Sequence, residues 1–309
     1  MIYTITLNPA IDYFITISGK LMTDEVNRGD HEIFRAGGKG LNVSRVLSKL
    51  GIPSTAIAVL GGFTGRYIEE SYASDPKIHV CVIPVDGTNR INVKAHHDDT
   101  SFCINGSGPQ ATEETKKKLL QELEKVCAED IVMLNGSMMR GFEDDFINEI
   151  ATAVHSRKAK FIVDMEQITP ERLKECRPFL IKPNLYEFQI MMNDDSIRLA
   201  NIESYLRELQ KEGIENILVS LGPDGAVLAS KEKLVFMDQP HTPFINKVGA
   251  GDAMLAAFIG KLSEGASPEE ALRYGGAAGN ATASKIEEIT SADITEFLPL
   301  ITTKVLKTY

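Results

Sequence analysis

Residues 131–134 read I-V-M-L, apolar at every position, and an amphipathic stretch near 143–156 follows them. A half-exposed strand alternates apolar and polar side chains, because successive residues face opposite sides of a sheet. A run without that alternation predicts a strand covered on both faces. The same holds for residues 217–219 inside N-I-L-V-S-L (216–221), which a helix around 202–212 precedes. Between them, K-F-I-V-D (160–164) leads to a helical stretch near 169–176, and F-L-I-K-P-N (179–184) to one at 186–192. Repeated strand–helix units predict an α/β chain with a mostly parallel central sheet and helices on both faces. Such sheets bind ligands at the carboxyl ends of their strands, so polar residues there are site candidates.

The amino-terminal third breaks this rhythm. Residues 13–18, the region near 31–35, 89–95 and 100–105 alternate apolar and polar. They predict a small second sheet, a lid with strands from about 12–35 and 88–106. No Pro- or Ser-rich linker and no internal repeat divides the chain, so residues 1–309 are expected to act as one domain.

With Lys+Arg 33 against Asp+Glu 43, the net charge is −10, which argues against a nucleic-acid partner. No apolar run approaches the ~20 residues that cross a bilayer, so no membrane partner is expected. The opening M-I-Y-T-I-T-L-N-P reads as a first strand rather than a signal peptide. Cys81, Cys103, Cys127 and Cys176 lie far apart without C-x-x-C, and predict reduced, mostly packed thiols in a cytoplasmic protein. The pair His96-His97 reads as a polar strand or hairpin end, not a metal site.

Several motifs carry chemistry, each with a plainer reading beside it. In K-V-G-A-G-D-A-M-L-A-A-F (247–258), Asp252 precedes an apolar helix. It reads either as that helix's N-cap or as a base beside amides that converge on an anion. A-G-G-K-G-L-N (36–42) opens a helix but matches neither usual nucleotide fingerprint. Gly37, Gly38 and Gly40 allow close approach of a ligand, with Lys39 and Asn42 as polar handles, or simply form a turn. In N-P-A-I-D (8–12), Asp12 at the end of the first strand suits sugar hydroxyls, or turn chemistry. Arg28, Lys39, Arg90 and Arg140 would make a phosphate site if they converge. In K-P-N-L-Y-E (182–187), Asn184 and Glu187 are spaced for a shared Mg²⁺ water shell and equally for a capping box. In S-L-G-P-D-G (220–225), Gly222 and Gly225 form a turn that faces a nucleotide or closes a hairpin.

Taken in order over nearly the whole chain, A-G-G-K-G-x-N, N-x-x-E, S-L-G-x-x-G and V-G-A-G-D resemble the PfkB (ribokinase-like) carbohydrate kinases. The opening T-L-N-P-A-I-D, with V-N-R and A-G-G-K-G-L-N-V-S-R-V-L, is most similar to the 1-phosphofructokinase/tagatose-6-phosphate kinase branch. The resemblance implies a ribokinase-like αβα sandwich with a β lid, and ATP- and Mg²⁺-dependent transfer to a sugar-phosphate hydroxyl. By the match, Asp252 is the base, and the backbone of Gly249, Ala250 and Gly251 stabilises the transferring group. Asp12, Gly37, Gly38, Lys39 and Asn42 would hold the sugar, with Arg28, Arg90 and Arg140 on its phosphate side. Lys182, Asn184 and Glu187 would serve nucleotide and metal, Glu187 through water. Ser220, Gly222, Gly225 and Asn280 would line the nucleotide. Fructose 1-phosphate is the first acceptor implied and tagatose 6-phosphate the second. A homodimer through the lid is a further expectation.

The chain departs from the branch pattern mainly on the sugar side. No acid precedes Arg90 in G-T-N-R, and Arg140 stands for a lysine in G-S-M-M-R-G. C-I-N-G-S-G-P, D-M-E-Q, Lys247 and Ala253 also differ. Rival readings are a same-fold kinase of a neutral sugar or nucleoside and a non-catalytic sugar-phosphate sensor. A nicotinamide dehydrogenase is the least favoured reading, because no glycine fingerprint follows the first strand.

Overall fold

The computed structural model describes residues 1–18, 22, 24–97, 100–240, 245, 248–285 and 287–309, of which 100 and 101 by backbone alone. Lys247 lies outside the described residues. Strand β1 (Ile2–Thr6) is followed by lid strands β2 (Ala10–Ile17) and β3 (Gly29–Gly37) and by helix α1 (Lys39–Lys49). The unit β4 (Ser54–Leu60), α2 (Gly62–Ala73) and β5 (Ile78–Pro84) precedes lid strands β6 (Arg90–His97) and β7 (Thr100–Asn105). Helix α3 (Glu113–Leu123) leads into β8 (Ile131–Gly136), α4 (Phe146–Ser156), β9 (Lys160–Met165), α5 (Pro170–Cys176) and β10 (Leu180–Ile181). Then come α6 (Leu185–Met192), α7 (Ile202–Lys211), β11 (Asn216–Ser220), β12 (Ala226–Ala229) and β13 (Lys233–Asp238). The chain closes with α8 (Ala250–Ser263), α9 (Pro268–Ala283), α10 (Ser291–Phe297) and β14 (Thr302–Thr308).

Among the described residues the main sheet has ten strands in the order β14-β13-β12-β11-β10-β9-β8-β1-β4-β5. From β5 to β11 all neighbours pair in parallel; β12, β13 and β14 add an antiparallel edge. The unbroken apolar run of β8 has its cause here. Val132 and Leu134 enter the core shared with α3 to α7, while Ile131 and Met133 enter the one shared with α1, α8 and α9. Both faces are covered, and on either face a polar side chain without a partner carries a desolvation cost.

The lid is a second sheet, β3-β2-β6-β7. Its register puts Phe34, Tyr13, Val93 and Ile104 in one row across the four strands. The next row holds Arg35, Asp12, Asn92 and Asn105, on the opposite face. The first row is apolar and the second polar, although Phe14 and Ile33 share the second row's face. His96 and His97 end β6, as expected of a strand end.

Two expectations change. The strand read at 179–184 shrinks to Leu180–Ile181, because Pro183 has no amide to give the ladder. The thiols are free, but Cys103 and Cys127 are exposed and only Cys176 is fully buried.

Candidate active site

From β1 the chain lays down β4 and β5 on one side, then crosses to β8 on the other side of β1 and continues outward to β11. Strand order reverses between β1 and β8, and a crevice opens there at the carboxyl ends. Asn8 follows β1, Asn135 and Gly136 end β8, Asp164 lies near the end of β9, and Lys182 directly follows β10.

Helix α8 enters this crevice by its amino terminus. Gly249 is the N-cap, at φ 84, a left-handed backbone that glycine adopts without a Cβ clash. The first intrahelical bond runs from Ala253 N–H to Gly249 C=O, so the amides of Ala250, Gly251 and Asp252 precede the helix's own bonding. Asp252 therefore does not cap the helix, as one sequence reading held: it is the third helical residue, and no side chain among the described residues caps this terminus. Its Oδ2 instead accepts a 2.8 Å hydrogen bond from Asn42 Nδ2 of α1. Asp252 is buried, and burial pushes its carboxyl up to about 6, with Asp164 adding to the rise. The Asn42 bond and the Lys39 and Lys182 ammoniums oppose that rise.

Asp164 Oδ1 lies 3.5 Å from both Lys39 Nζ and Lys182 Nζ. Lys182 is 5% exposed and its Nζ sits against Gly251, 3.2 Å from where a Cβ would be. Burial works against the charge of Lys39. The carboxylates of Asp164, Asp252, Glu187 and Glu166 outweigh it and hold that amine well above the ordinary lysine value. Two cations and two acids thus meet at one helix start, and the helix end favours an anion there.

On the lid side, Asp12 is not at the end of the first strand but inside β2, in the lid's polar row. Its carboxylate accepts from Asn92 Nδ2 at 3.0 Å and Lys94 Nζ at 2.8 Å. A cleft of about 670 Å³ brings Asp12, Gly37, Asn42, Arg45 and Gly249 together. Gly38 is the N-cap of α1, which places Lys39 at its first position. Arg90 donates to Asn8 O at 3.2 Å and to Ser137 Oγ at 3.3 Å, and burial lowers its pKa. Arg140, more exposed, donates to Gly108 O at 2.6 Å. Arg28 is not brought to this group within one chain. It is exposed at the far end of the β2–β3 ladder, roughly 20 Å along the strand from the Asp12–Arg35 rung.

On the other side of the α8 start, Ser220, Gly222, Gln239, Gly251 and Asn280 line a second cleft of about 410 Å³. Asn280 spends its amide donors on Gln239 Oε1 and Gly276 O, both at 2.8 Å, and its Oδ1 is buried with no partner among the described residues. The turn after β11 is a hairpin into antiparallel β12. Gly225 lies outside the cleft lining. It packs where a Cβ would meet Met237 O at 2.0 Å, so its role is close approach of β13. Asn184 and Glu187 form a full capping box on α6, with bonds of 2.8 and 2.9 Å. Among the described residues no three His, Cys, Asp or Glu side chains gather as a metal cage. A divalent cation here would keep waters and take phosphate oxygens, as Mg²⁺ does.

Of the sequence candidates, Asp12, Gly37, Asn42 and Gly249 line the first cleft and Ser220, Gly222, Ala250, Gly251 and Asn280 the second, with the α8 start between the two. Asp164, Asn92, Lys94 and Gln239 belong to the site but were not singled out from sequence. A signal existed for three of them: Asp164 ends an apolar strand, and Asn92 and Lys94 are the polar beats of an alternating one.

The pfkB family carbohydrate kinase model matches residues 5–295. The chain is 34% identical over 299 residues to a 1-phosphofructokinase of Bacillus subtilis, covering 97% of this chain and 98% of that one. It is 35% identical over 287 residues to a D-tagatose-1-phosphate kinase of Bacillus licheniformis, with 92% of each covered. The fold superposes on a crystal structure of phosphofructokinase-2 from Escherichia coli in complex with fructose-6-phosphate. There the TM-score is 0.88 at 26% identity, over 96% of this chain and 98% of that one. The chain belongs to the pfkB family of carbohydrate kinases.

Proposed function

We propose that residues 1–309 work as one kinase unit that moves a phosphoryl group from ATP to the free hydroxyl of a ketohexose phosphate, fructose 1-phosphate first. The observation that carries this reading is Asp252. A buried carboxylate with a pKa near 6, fixed by Asn42 in the first turn of α8, is a base poised for physiological pH.

Asp252 would take the acceptor hydroxyl's proton as its oxygen bonds to phosphorus and the bond to the departing diphosphate breaks. The amides of Gly249, Ala250 and Gly251, the α8 dipole and Lys182 face the charge that grows on the transferring group. Mg²⁺, when bound, neutralises the phosphate oxygens, and Glu187 would hold it through water. The second cleft would take the nucleotide: Gly222 leaves its side open, with no atom of the described residues beyond its own neighbours within 4 Å of a Cβ there. Asp12 and Asn42 would hold sugar hydroxyls, Lys39 would serve both substrates, and Arg90 and Arg140 would bind the acceptor's phosphate. Arg28 would meet a phosphate only beyond its own chain's cleft.

The relatives named for 1-phosphofructokinase and D-tagatose-1-phosphate kinase activity favour a 1-phosphate acceptor, with tagatose 6-phosphate the alternative. No helix among the described residues is long and apolar enough to cross a membrane. An ATP-dependent enzyme of this kind would work in the cytoplasm, where ATP is supplied. A homodimer would bury the lid's outer row, where Phe34 is 53% and Ile104 61% exposed. The test is ATP turnover on fructose 1-phosphate, tagatose 1-phosphate, tagatose 6-phosphate, fructose 6-phosphate, ribose and adenosine. Preference for a neutral acceptor would replace this reading with a neutral-sugar or nucleoside kinase.

A further inference from the structure

Asn135, next to last in β8, is 1% exposed, yet neither its Oδ1 nor its Nδ2 has a hydrogen-bond partner among the described residues. An amide buried in this way is unfavourable, and leucine, which keeps the branching at Cγ though it is larger, would remove the polar penalty. The side chain shares its sheet face with Met133, toward α1 and α8. Its register neighbours on that face are Thr6 of β1 and Asp164 of β9.

The two neighbours differ. Thr6 is engaged, for its Oγ1 accepts from Leu41 N–H at 3.1 Å. Among the described residues Asp164 is engaged through one oxygen only: Oδ1 faces Lys39 and Lys182, while Oδ2 is buried without a partner there. An amide with two unused donors therefore stands beside a carboxylate oxygen with none, on adjacent strands about 4.8 Å apart. A side-chain rotation of Asn135 brings donor to acceptor.

Lys39 and Lys182 are the cations that any polyphosphate at the α8 start would attract. As they turn toward it, Asp164, at 2% exposure, loses compensation for a buried charge. Such a loss is strongly unfavourable unless another donor replaces it. We infer that Asn135 is a positioning residue: it becomes the hydrogen-bond donor to Asp164 when Lys39 and Lys182 engage the bound nucleotide. The inference rests on the kinase reading. An unsatisfied pair in the free protein becomes a satisfied one in the loaded protein, and the difference favours nucleotide binding.

The test uses the full chain with Asn135→Leu, which removes the donors, and Asn135→Ser, which keeps a shorter one. Three quantities are read: the Tm without ligand, the rise in Tm with ATP and Mg²⁺, and KM for ATP against kcat. For Asn135→Leu, the ligand-free Tm stays or rises, the ATP-induced rise shrinks, and KM for ATP increases by about tenfold or more while kcat moves less. Asn135→Ser falls between the two. The inference is overturned if Asn135→Leu binds ATP as wild type does, or if its ligand-free Tm drops while the ATP-induced rise is unchanged. Should Asn135→Leu not fold, an Asn135→Ser KM for ATP within twofold of wild type overturns it. Wild type that neither turns over ATP with any sugar nor gains Tm from it sinks the kinase reading itself. Normal wild-type turnover with unaltered Asn135 variants sinks only this inference.

Discussion

Asp252→Asn separates the base from every other role of the residue. The substitution keeps size, and its amide oxygen can still accept from Asn42 Nδ2, so α1 and α8 stay joined where the native bond is 2.8 Å. What it removes is the proton acceptor. Loss of a general base lowers rate by about 10²–10⁴, or roughly 3–5 kcal/mol at the barrier. Stability should move the other way. Folding raises the Asp252 pKa from 3.8 to about 6. Below pH 3.8 the carboxyl is protonated in both states and contributes nothing to the pH dependence. As pH climbs from there through about 6, the unfolded chain ionises first and native stability is lost. At about 1.4 kcal/mol per pH unit, the loss reaches about 3 kcal/mol above pH 6. Asp252→Asn is free of this loss, so its Tm relative to wild type should rise between pH 4 and pH 7.5. The assays are steady-state kinetics on the best sugar phosphate and thermal melts at several pH values. Wild-type kcat/KM should fall below about pH 6 as the base protonates. A kcat within a few-fold of wild type, or a Tm at pH 7.5 lower than wild type, would refute the reasoning.

Three further outcomes are expected. Glu187→Gln retains an acceptor for the Asn184 amide, so the chain should melt normally, while activity falls most at low Mg²⁺ and partly recovers as Mg²⁺ rises. A Mg²⁺ titration identical to wild type would leave Glu187 as a capping residue alone. Arg90→Ala should raise KM for the phosphorylated acceptor by roughly tenfold or more with little change for ATP, since a charge-assisted bond is worth about 1.5–3 kcal/mol. Equal KM values in both enzymes would remove Arg90 from the acceptor site. Phe34→Glu, in the lid's outer row, should shift a dimer to monomer in sedimentation velocity, because a charge cannot be buried there unpaired. An unchanged sedimentation coefficient for an established dimer would place its interface elsewhere.

The elements most legible in the sequence were those whose cause is local. The unbroken apolar beat of Ile131–Leu134 reports burial on both faces, whatever the strand's neighbours are. The alternation around Asn92 and Lys94 reports a half-covered lid strand, and the Asn184–Glu187 spacing reports a capping box whose partners lie three residues apart. Local pattern also misled. Asp252 looks like a cap because Asp often is one, but Gly249 takes that position and frees the carboxylate to turn toward α1. Gly225 looks like part of a nucleotide loop, yet its close contact is with β13.

By itself, the sequence determined the α/β class, the lid, the family motifs and several residues of the two clefts, because periodicity and turn chemistry act over a few residues. Only the tertiary structure decided which of them touch. Asn42 and Asp252 are 210 residues apart, and Asp12 and Lys94 are 82 apart. Asp164 joins Lys39 to Lys182 because β9 lies between β8 and β10, and Arg28 is set apart because β3 runs away from the cleft. Those pairings follow from strand order and crossover, which bring distant residues to one end of the sheet. No pattern confined to a few residues records that order.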